Sequence, residues 1–165
     1  MKLSYTRFQK AIEFITVIIL LGTLIYLILS WGKLPDKIPA HYNPAGVVDR
    51  WGSKNEILTI PIMSIALYIL LTIVSFFPSI WNVPVKITEE NRWFVYYNLK
   101  TMLILIKLEI IILFSYITYC NIKVQSLGGW FLPIELMVIF GTVIYYIVKV
   151  TRNRYIQYSG WNFRE

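Results

Sequence analysis

Two ionisable residues interrupt an otherwise apolar stretch, because Lys107 and Glu109 lie in the middle of the run LILIKLEIIIL. If that run spans a membrane, inserting each charged group costs about 2.5–3.5 kcal/mol, which makes such residues candidates for a proton or ion relay. Residues two apart on a helix differ by about 200° in direction, so Lys107 and Glu109 are poor partners for each other. Glu135, about one turn inside the next apolar run, could approach Glu109.

The same three side chains could instead hold the helices together. Interhelical ion pairs and hydrogen bonds stabilise the packing of helices in lipid, so the sequence leaves a relay and a structural contact equally open. Glu13 and Lys149 lie near the ends of apolar runs, where long side chains reach the interface at little cost. The candidate polar partners for the central charges are Ser64, Tyr68, Thr72, Tyr116 and Tyr145.

His41 is the single histidine of the chain, and Asp36, Asp49 and Glu56 lie close to it in sequence. Imidazole changes its charge near neutral pH and binds metals, so these four residues could form a proton or metal site. One histidine without a cysteine or a second histidine is a weak metal signature. We therefore predict that His41 stabilises its loop by a hydrogen bond to Asp49 or to a backbone carbonyl, and we predict no bound metal.

The remaining charged residues of this segment do not suggest catalysis. Asp49, Arg50 and Lys54 are predicted to form a salt-bridged cluster on the surface. No nucleophile with a neighbouring base, glycine-rich phosphate loop or zinc-ligand spacing is recognisable. The residues therefore favour a non-enzymatic function, and we predict no cofactor.

The composition places these residues in a membrane protein. Hydrophobic residues make up 57% of the 165 residues and charged residues only 15%, whereas soluble domains have about 25% charged residues. A helix needs about 20 apolar residues to cross the hydrocarbon core. The chain is predicted to be one all-α membrane domain, residues 1–165, with a structured extracytoplasmic loop at 32–56. The predicted spans are 11–31, 57–81, 94–120 and 130–148.

The distribution of basic residues predicts the orientation. With the N-terminus inside, ten basic residues lie on the cytoplasmic side and five on the outer side, and cytoplasmic loops carry the excess of Lys and Arg. We expect both termini, including a tail at 149–165, to be cytoplasmic in a protein of the plasma membrane. The net charge of +7 then reflects topology, and no nucleic-acid partner is predicted. The first run is too long for a signal peptide and has a poor cleavage site, so we expect an uncleaved helix.

Residues 32–56 combine turn-forming residues with apolar ones and are predicted to form a compact cap over the helix ends. Asn43-Pro44-Ala45-Gly46 suits a β-turn, because Pro fixes φ at the second position. Ser53 and Glu56 have the spacing of a capping box at the start of the second span. A connection of this length without structure is uncommon unless it has a function.

This segment resembles the signature of the DUF1648 family of small bacterial membrane proteins. A second stretch, residues 82–91, is similar to a segment found downstream in that family. Some members are immunity proteins, including the one against a sporulation-delaying peptide toxin, so the resemblance implies a protein that recognises an envelope-active molecule. The residues that carry the resemblance form a possible ligand site: Pro35, Asp36, Pro39, His41, Asn43, Gly46, Asp49, Trp51, Gly52, Ser53 and Lys54.

Three functions remain open from the sequence. The first hypothesis is an immunity-like or resistance-like protein whose outer loop recognises or neutralises an extracellular peptide or compound. The second is a transporter-like or proton-coupled protein that uses Lys107, Glu109 and Glu135. The third is an accessory membrane subunit in signalling. The expected partners are the lipid bilayer, an extracellular peptide ligand and a second copy of the chain in a homodimer.

Overall fold

Four long helices dominate the structure, a computed structural model that describes residues 4–161. They are α1 (Arg7–Ser30), α2 (Thr59–Phe76), α3 (Arg92–Lys123) and α4 (Phe131–Trp161). Within the described residues, each of the four helical segments is long and apolar enough to cross a membrane. The chain is therefore a multi-pass membrane protein, as its composition predicts.

The third helix is the centre of the bundle, because α1, α2 and α4 all pack mainly against it. With 32 residues and a rise of 1.5 Å per residue, α3 is about 48 Å long, whereas the hydrocarbon core is about 30 Å thick. Its two ends therefore extend beyond the core and carry Arg92 and Lys123. At one end, Val150 of α4 packs with Val95 and Leu99 of α3.

Local signals define where several of these elements begin and end. A capping box at the start of α1 joins the backbone N–H of Gln9 to the Thr6 hydroxyl and the Thr6 N–H to the Gln9 side chain. The predicted Ser53–Glu56 capping box is confirmed and opens a 3₁₀ turn, Lys54–Leu58, that leads into α2. α2 ends at Phe76 because Pro78 disfavours a helical conformation at the residue before it.

The connection between α1 and α2 contains a two-stranded antiparallel sheet, β1 (Lys37–Tyr42) and β2 (Val48–Ser53). The predicted turn joins the strands, with the N–H of Gly46 donating to the carbonyl of Asn43 at 2.8 Å. The pairing shifts on both sides of His41, so the regular alternation of the strands is interrupted there. We call residues 37–53 the hairpin, and the end of the bundle that carries it the hairpin end.

Apolar side chains fix the base of the hairpin to the helices. Ile38 and Ile57 are fully buried against Leu27 of α1 and Leu34, and Trp31 and Ile122 pack around them. A hairpin by itself is marginally stable in water. Its burial against α1 and α3 is what gives this one a defined position.

The structure confirms four spans and a structured loop, and it corrects some details. The small sheet was not expected in an all-α protein. The second span was predicted to reach residue 81, but the helix ends at Phe76 and a 3₁₀ turn, Pro78–Ile80, follows. The fourth helix, α4, continues past the predicted end of its span at residue 148 to Trp161, so the described part of the predicted tail at 149–165 is helical. Residues 162–165 lie outside the described residues.

Candidate functional site

The tip of the hairpin is in contact with the connection between α3 and α4. The N–H of Leu127 donates to the carbonyl of Gly46 at 2.9 Å. Gly46 has a positive φ of 73°, and a Cβ atom there would lie 2.5 Å from the carbonyl oxygen of Gly128. Only glycine fits both the backbone conformation and the close approach. The tip thus links the first pair of helices to the second.

A half-buried tyrosine adds a second link below the tip. The Tyr42 hydroxyl donates to Oδ1 of Asn121 at 2.7 Å and lies 3.2 Å from the carbonyl of Gln125. Burial raises the pKa of Tyr42 above its ordinary value, so the phenol stays protonated and remains a donor at neutral pH. Tyr42 therefore joins β1 to the end of α3.

His41 and Asp49 form an exposed pair on the hairpin. Nδ1 of His41 lies 2.6 Å from Oδ1 of Asp49, and their side chains are 63% and 41% exposed. The predicted hydrogen bond between them is confirmed. Among the described residues, no group of three His, Cys, Asp or Glu side chains is placed to hold a metal ion.

The predicted cluster of Asp49, Arg50 and Lys54 is wrong. Arg50 donates to Glu56 at 2.9 Å, because neighbouring residues on a strand point to opposite faces and Asp49 faces His41 instead. The hydrogen bond from Arg50 and that from the Ser53 backbone lower the pKa of Glu56. The Lys54 ammonium lies 5.0 Å from the centre of the Trp31 ring.

Several of the predicted site residues build the hairpin rather than face outward. The Asn43 carboxamide oxygen accepts from two backbone N–H groups of the turn, and the Asp36 carbonyl accepts from the N–H of Lys54. A side chain at Gly52 would collide with the Glu56 carboxylate, at 2.4 Å. Pro39 is buried. The predicted residues whose side chains are exposed are Pro35, Asp36, His41, Asp49, Trp51 and Ser53.

Among these, Trp51 is the largest apolar group. Its side chain is 53% exposed, and Val47 at the turn is 50% exposed. Ile38 on the opposite face is completely buried. The hairpin therefore has a fixed inner face and an outer face that presents an indole beside the His41–Asp49 pair.

The lysine at the centre of α3 bonds to side chains of both α1 and α2. Nζ of Lys107 donates to Oε1 of Glu13 in α1 at 2.6 Å and to the Thr72 hydroxyl in α2 at 2.9 Å. The ring of Tyr68 lies 4.8 Å from the same ammonium. Lys107 thus ties α1 and α2 to α3, and Glu13, which was predicted to reach the interface, is paired with this lysine. Thr72 and Tyr68 were among its predicted partners.

Glu109 faces α4, away from Lys107, as the rotation between them predicts. Its Oε1 accepts from the Thr142 hydroxyl at 2.5 Å. Glu135 is near enough to interact electrostatically with Glu109, in agreement with the predicted approach. One oxygen of each carboxyl group is buried without a hydrogen-bond partner among the described residues. The α3–α4 contact therefore contains two carboxyl groups and no cation paired with them within the described residues.

Sequence reasoning missed a second polar group at the end opposite the hairpin. Lys100 is 1% exposed, and its ammonium lies 3.6 Å from the centre of the Tyr5 ring. Gln9, also buried, donates to the Thr101 hydroxyl at 2.9 Å. Tyr5 and Ser75 are hydrogen-bonded at 3.0 Å. The sequence shows only that Lys100 and Thr101 are polar residues beside an apolar run. Their contacts with Tyr5, just before α1, and with Gln9 of α1 depend on how α1 packs along α3.

Two open cavities lie at this opposite end rather than below the hairpin. One, of about 420 Å³, is lined by residues that include Phe77, Arg92 and Tyr96. The other, of about 260 Å³, is lined by residues that include Trp81, Leu99 and Met102. Neither cavity is lined by Lys107, Glu109 or Glu135.

Comparison with known proteins supports the family resemblance of the segment that contains the hairpin. Residues 18–65 match the family described as a domain of unknown function, DUF1648. This range covers the second half of α1, the hairpin and the first turns of α2. An uncharacterised protein of the archaeon Archaeoglobus fulgidus is 32% identical in an alignment 97 positions long, which covers 50% of this chain and 53% of that protein. The chain thus spans about half the length of this relative. No solved structure matches the chain.

Proposed function

We propose that this DUF1648-domain membrane protein recognises an envelope-active peptide or compound through the outer face of the hairpin, in the manner of an immunity or resistance protein. The observation that carries the proposal is the contrast between the two faces of the hairpin. Ile38 is completely buried, whereas Trp51 is 53% exposed. Large aromatic side chains on a rigid surface are typical anchors of binding sites.

The rigidity of the hairpin supports the same function. Its base is buried against α1 and its tip is bonded to the α3–α4 connection. A surface that is ordered before binding loses less conformational entropy when a ligand arrives. The DUF1648 match is centred on this segment, which agrees with a role for the hairpin itself.

The experiment is expression of the protein in a sensitive bacterium that is challenged with a panel of membrane-active peptides and compounds. We expect protection against at least one of them, and we expect Trp51→Ala and the pair His41→Ala and Asp49→Ala to reduce it. Trp130→Ala is the matched control, because Trp130 is 79% exposed and lies outside the hairpin. Absence of protection across the panel, or equal loss with Trp130→Ala, would count against the proposal.

A proton-coupled function is the second candidate, and one specific observation favours it. Glu109 and Glu135 each place a carboxyl oxygen in the α3–α4 contact without a hydrogen-bond partner among the described residues. Intramembrane carboxyl groups of this kind carry protons in pumps and transporters. Proton uptake by vesicles that contain the protein would test it, with Glu109→Gln and Glu135→Gln expected to abolish the uptake. Unchanged uptake in both variants would exclude these two groups as proton carriers.

We also propose that the protein lies in the plasma membrane with the hairpin outside and both termini in the cytoplasm. The support is the ten-to-five distribution of basic residues. Single cysteines at Asn55 and Lys10, in a Cys120→Ala background, would test it with a membrane-impermeant thiol reagent on intact cells. Labelling at position 55 alone supports this orientation, and labelling at position 10 alone reverses it.

A further inference from the structure

The two cavities at the end opposite the hairpin follow each other along one face of α3. The first, of about 420 Å³, is lined by residues that include Arg92 and Tyr96. The second, of about 260 Å³, is lined by residues that include Leu99 and Leu103. These four positions recur at the spacing of a single helix face. Since α3 rises 1.5 Å per residue, the second cavity lies about 10 Å further toward the middle of the bundle than the first.

The first cavity lies at the edge of the membrane. Phe76 and Phe77, at the end of α2, are among the residues that line it. The apolar span Lys54–Phe76 has 23 residues, so its length of about 35 Å matches a hydrocarbon core of about 30 Å. Trp93 is 62% exposed and stacks on Tyr97 with ring centres 5.0 Å apart, and such aromatic residues are typical of the membrane interface. The first cavity is therefore level with the lipid headgroups.

The polar residues of the first cavity suit an anion. Arg92, Tyr96 and Ser79 bring a guanidinium, a phenol and a hydroxyl group to its lining. Arg92 also pairs with Glu89, whose side chain is 79% exposed, and an exposed pair of this kind contributes little. A guanidinium has several N–H donors in a planar fork, so Arg92 can bind a phosphate and keep this partner.

The second cavity is almost entirely apolar. Asn82 is the one residue with a polar amide in its lining, and the others are Val74, Ile80, Trp81, Leu99, Met102 and Leu103. Trp81 of this cavity contacts Tyr96 of the first, with ring centres 5.9 Å apart. A polar cavity at headgroup level thus has an apolar neighbour deeper in the bilayer.

We propose that the two cavities bind one anionic phospholipid, with its headgroup in the first and an acyl chain in the second. A free phosphate would fill the first cavity only, and a water-soluble acidic peptide would have to enter the bilayer to reach the second. Exposed basic residues outnumber exposed acidic ones at this end, which favours an anionic headgroup over a zwitterionic one. They are Arg7, Lys10, Lys86 and Arg152, against Glu89 and Glu90. The site is separate from the hairpin, so it does not depend on the proposed recognition function.

The test uses the full-length protein in an uncharged maltoside detergent, with native mass spectrometry to count the lipids that stay bound. Phosphatidylglycerol and phosphatidylcholine with the same acyl chains are compared at equal concentration. We expect at least about fivefold more bound phosphatidylglycerol than phosphatidylcholine. Glycerol 3-phosphate, which supplies the phosphate without the chains, is expected not to displace the bound lipid.

Variants of two arginines connect the headgroup preference to the first cavity. Arg92→Gln is expected to remove most of the preference, and Arg92→Lys, which keeps the charge but loses the planar fork, to retain part of it. Arg152→Gln removes the same charge from an exposed position of α4 that lines neither cavity, and is expected to leave the preference unchanged. Melting temperatures without added lipid establish that the variants fold.

A second pair of variants tests the acyl chain. Leu103→Trp fills part of the second cavity and is expected to lower the amount of both bound lipids. Ile112→Trp places the same side chain at a 42% exposed position of α3 that lines neither cavity, and should leave the amount unchanged.

Three results would overturn the proposal. Equal retention of the two lipids, or an equal loss of preference in Arg92→Gln and Arg152→Gln, would exclude a headgroup site at Arg92. Displacement of the lipid by glycerol 3-phosphate would make the first cavity a site for free phosphate. Undiminished lipid retention in Leu103→Trp would exclude an acyl chain from the second cavity.

Discussion

The Lys107 ammonium in α3 lies 2.6 Å from the Glu13 carboxylate in α1, a charge pair that joins two helices separated by most of the chain. The lysine side chain is 1% exposed and that of Glu13 is 17% exposed. The ammonium also donates a hydrogen bond to the Thr72 hydroxyl of α2. One side chain of the central helix therefore holds two of the three helices that pack on it.

Replacing Lys107 with Met is expected to destabilise the protein strongly. The change leaves the Glu13 carboxylate without its cation, and breaking a buried ion pair by removing one partner costs about 3–5 kcal/mol. We expect a large fall of the melting temperature in detergent, measured by intrinsic tryptophan fluorescence. Lys10→Met, an exposed lysine on α1, should have little effect.

A double variant distinguishes a structural pair from a functional one. Lys107→Met combined with Glu13→Leu removes both charges, and apolar replacement of a whole buried pair is often neutral. If stability recovers and the variant still protects a sensitive bacterium, the pair serves packing alone. If stability recovers and protection is lost, the pair serves the function.

The sequence predicted half of this arrangement. The two-residue spacing correctly placed Lys107 and Glu109 on different faces of α3, because the angle between two side chains on a helix follows from their spacing in the sequence. The partner of Lys107 was not predictable in the same way. Glu13 lies close to the start of its run, and a carboxylate there is compatible with an interfacial position. Only the packing of α1 along α3 brings Glu13 opposite Lys107.

Glu109→Gln is expected to have a much smaller effect on stability than Lys107→Met. The Glu109 carboxyl group is bonded to the Thr142 hydroxyl rather than to a cation. A glutamine keeps an acceptor oxygen for that hydroxyl, and interhelical hydrogen bonds in membranes average about 0.6 kcal/mol. The melting temperature of the variant in the same detergent measures the effect. A fall in melting temperature as large as that of Lys107→Met would show that Glu109 has an important ionic partner.

The hairpin was predicted as a compact cap but not as a sheet. The turn at Asn43–Gly46 and the capping box at Ser53 are local signals and are confirmed. The strands contain Pro39, Gly52 and a shifted pairing at His41, so their sequence lacks a clear period of two. Burial of Ile38 against α1 supplies the stability that local propensity does not.

Gly46→Ala is expected to weaken the contact between the hairpin and the α3–α4 connection. The new methyl group would lie 2.5 Å from the Gly128 carbonyl oxygen, and φ at this position is 73°. A residue held in such a conformation costs about 1–3 kcal/mol. Hydrogen exchange should increase at the N–H of Leu127, which bonds to Gly46. Gly22→Ala is the control, because a Cβ atom there meets nothing within 4 Å, and unchanged exchange in Gly46→Ala would contradict the tip contact.

Tyr42 is expected to make stability depend on alkaline pH. Burial raises its pKa above the value of about 10 that a tyrosine has in the unfolded chain. A group whose pKa is higher in the folded state contributes its full stabilisation below the unfolded pKa, and this contribution is lost as the pH rises through the folded pKa. The reason here is that a phenolate cannot donate to Asn121 or to the Gln125 carbonyl.

The variant Tyr42→Phe lacks this hydroxyl and should unfold with about 1 kcal/mol less stability at neutral pH, the usual contribution of such a hydrogen bond. The difference in stability between wild type and Tyr42→Phe should then shrink above pH 10, because Tyr42 of the unfolded chain ionises there while the folded protein still holds the proton. Thermal unfolding measured from neutral to alkaline pH tests this, with Tyr145→Phe, at a 58% exposed position, as the control. A difference that stays constant or grows with pH would show that the Tyr42 hydroxyl does not hold β1 to α3 as a donor.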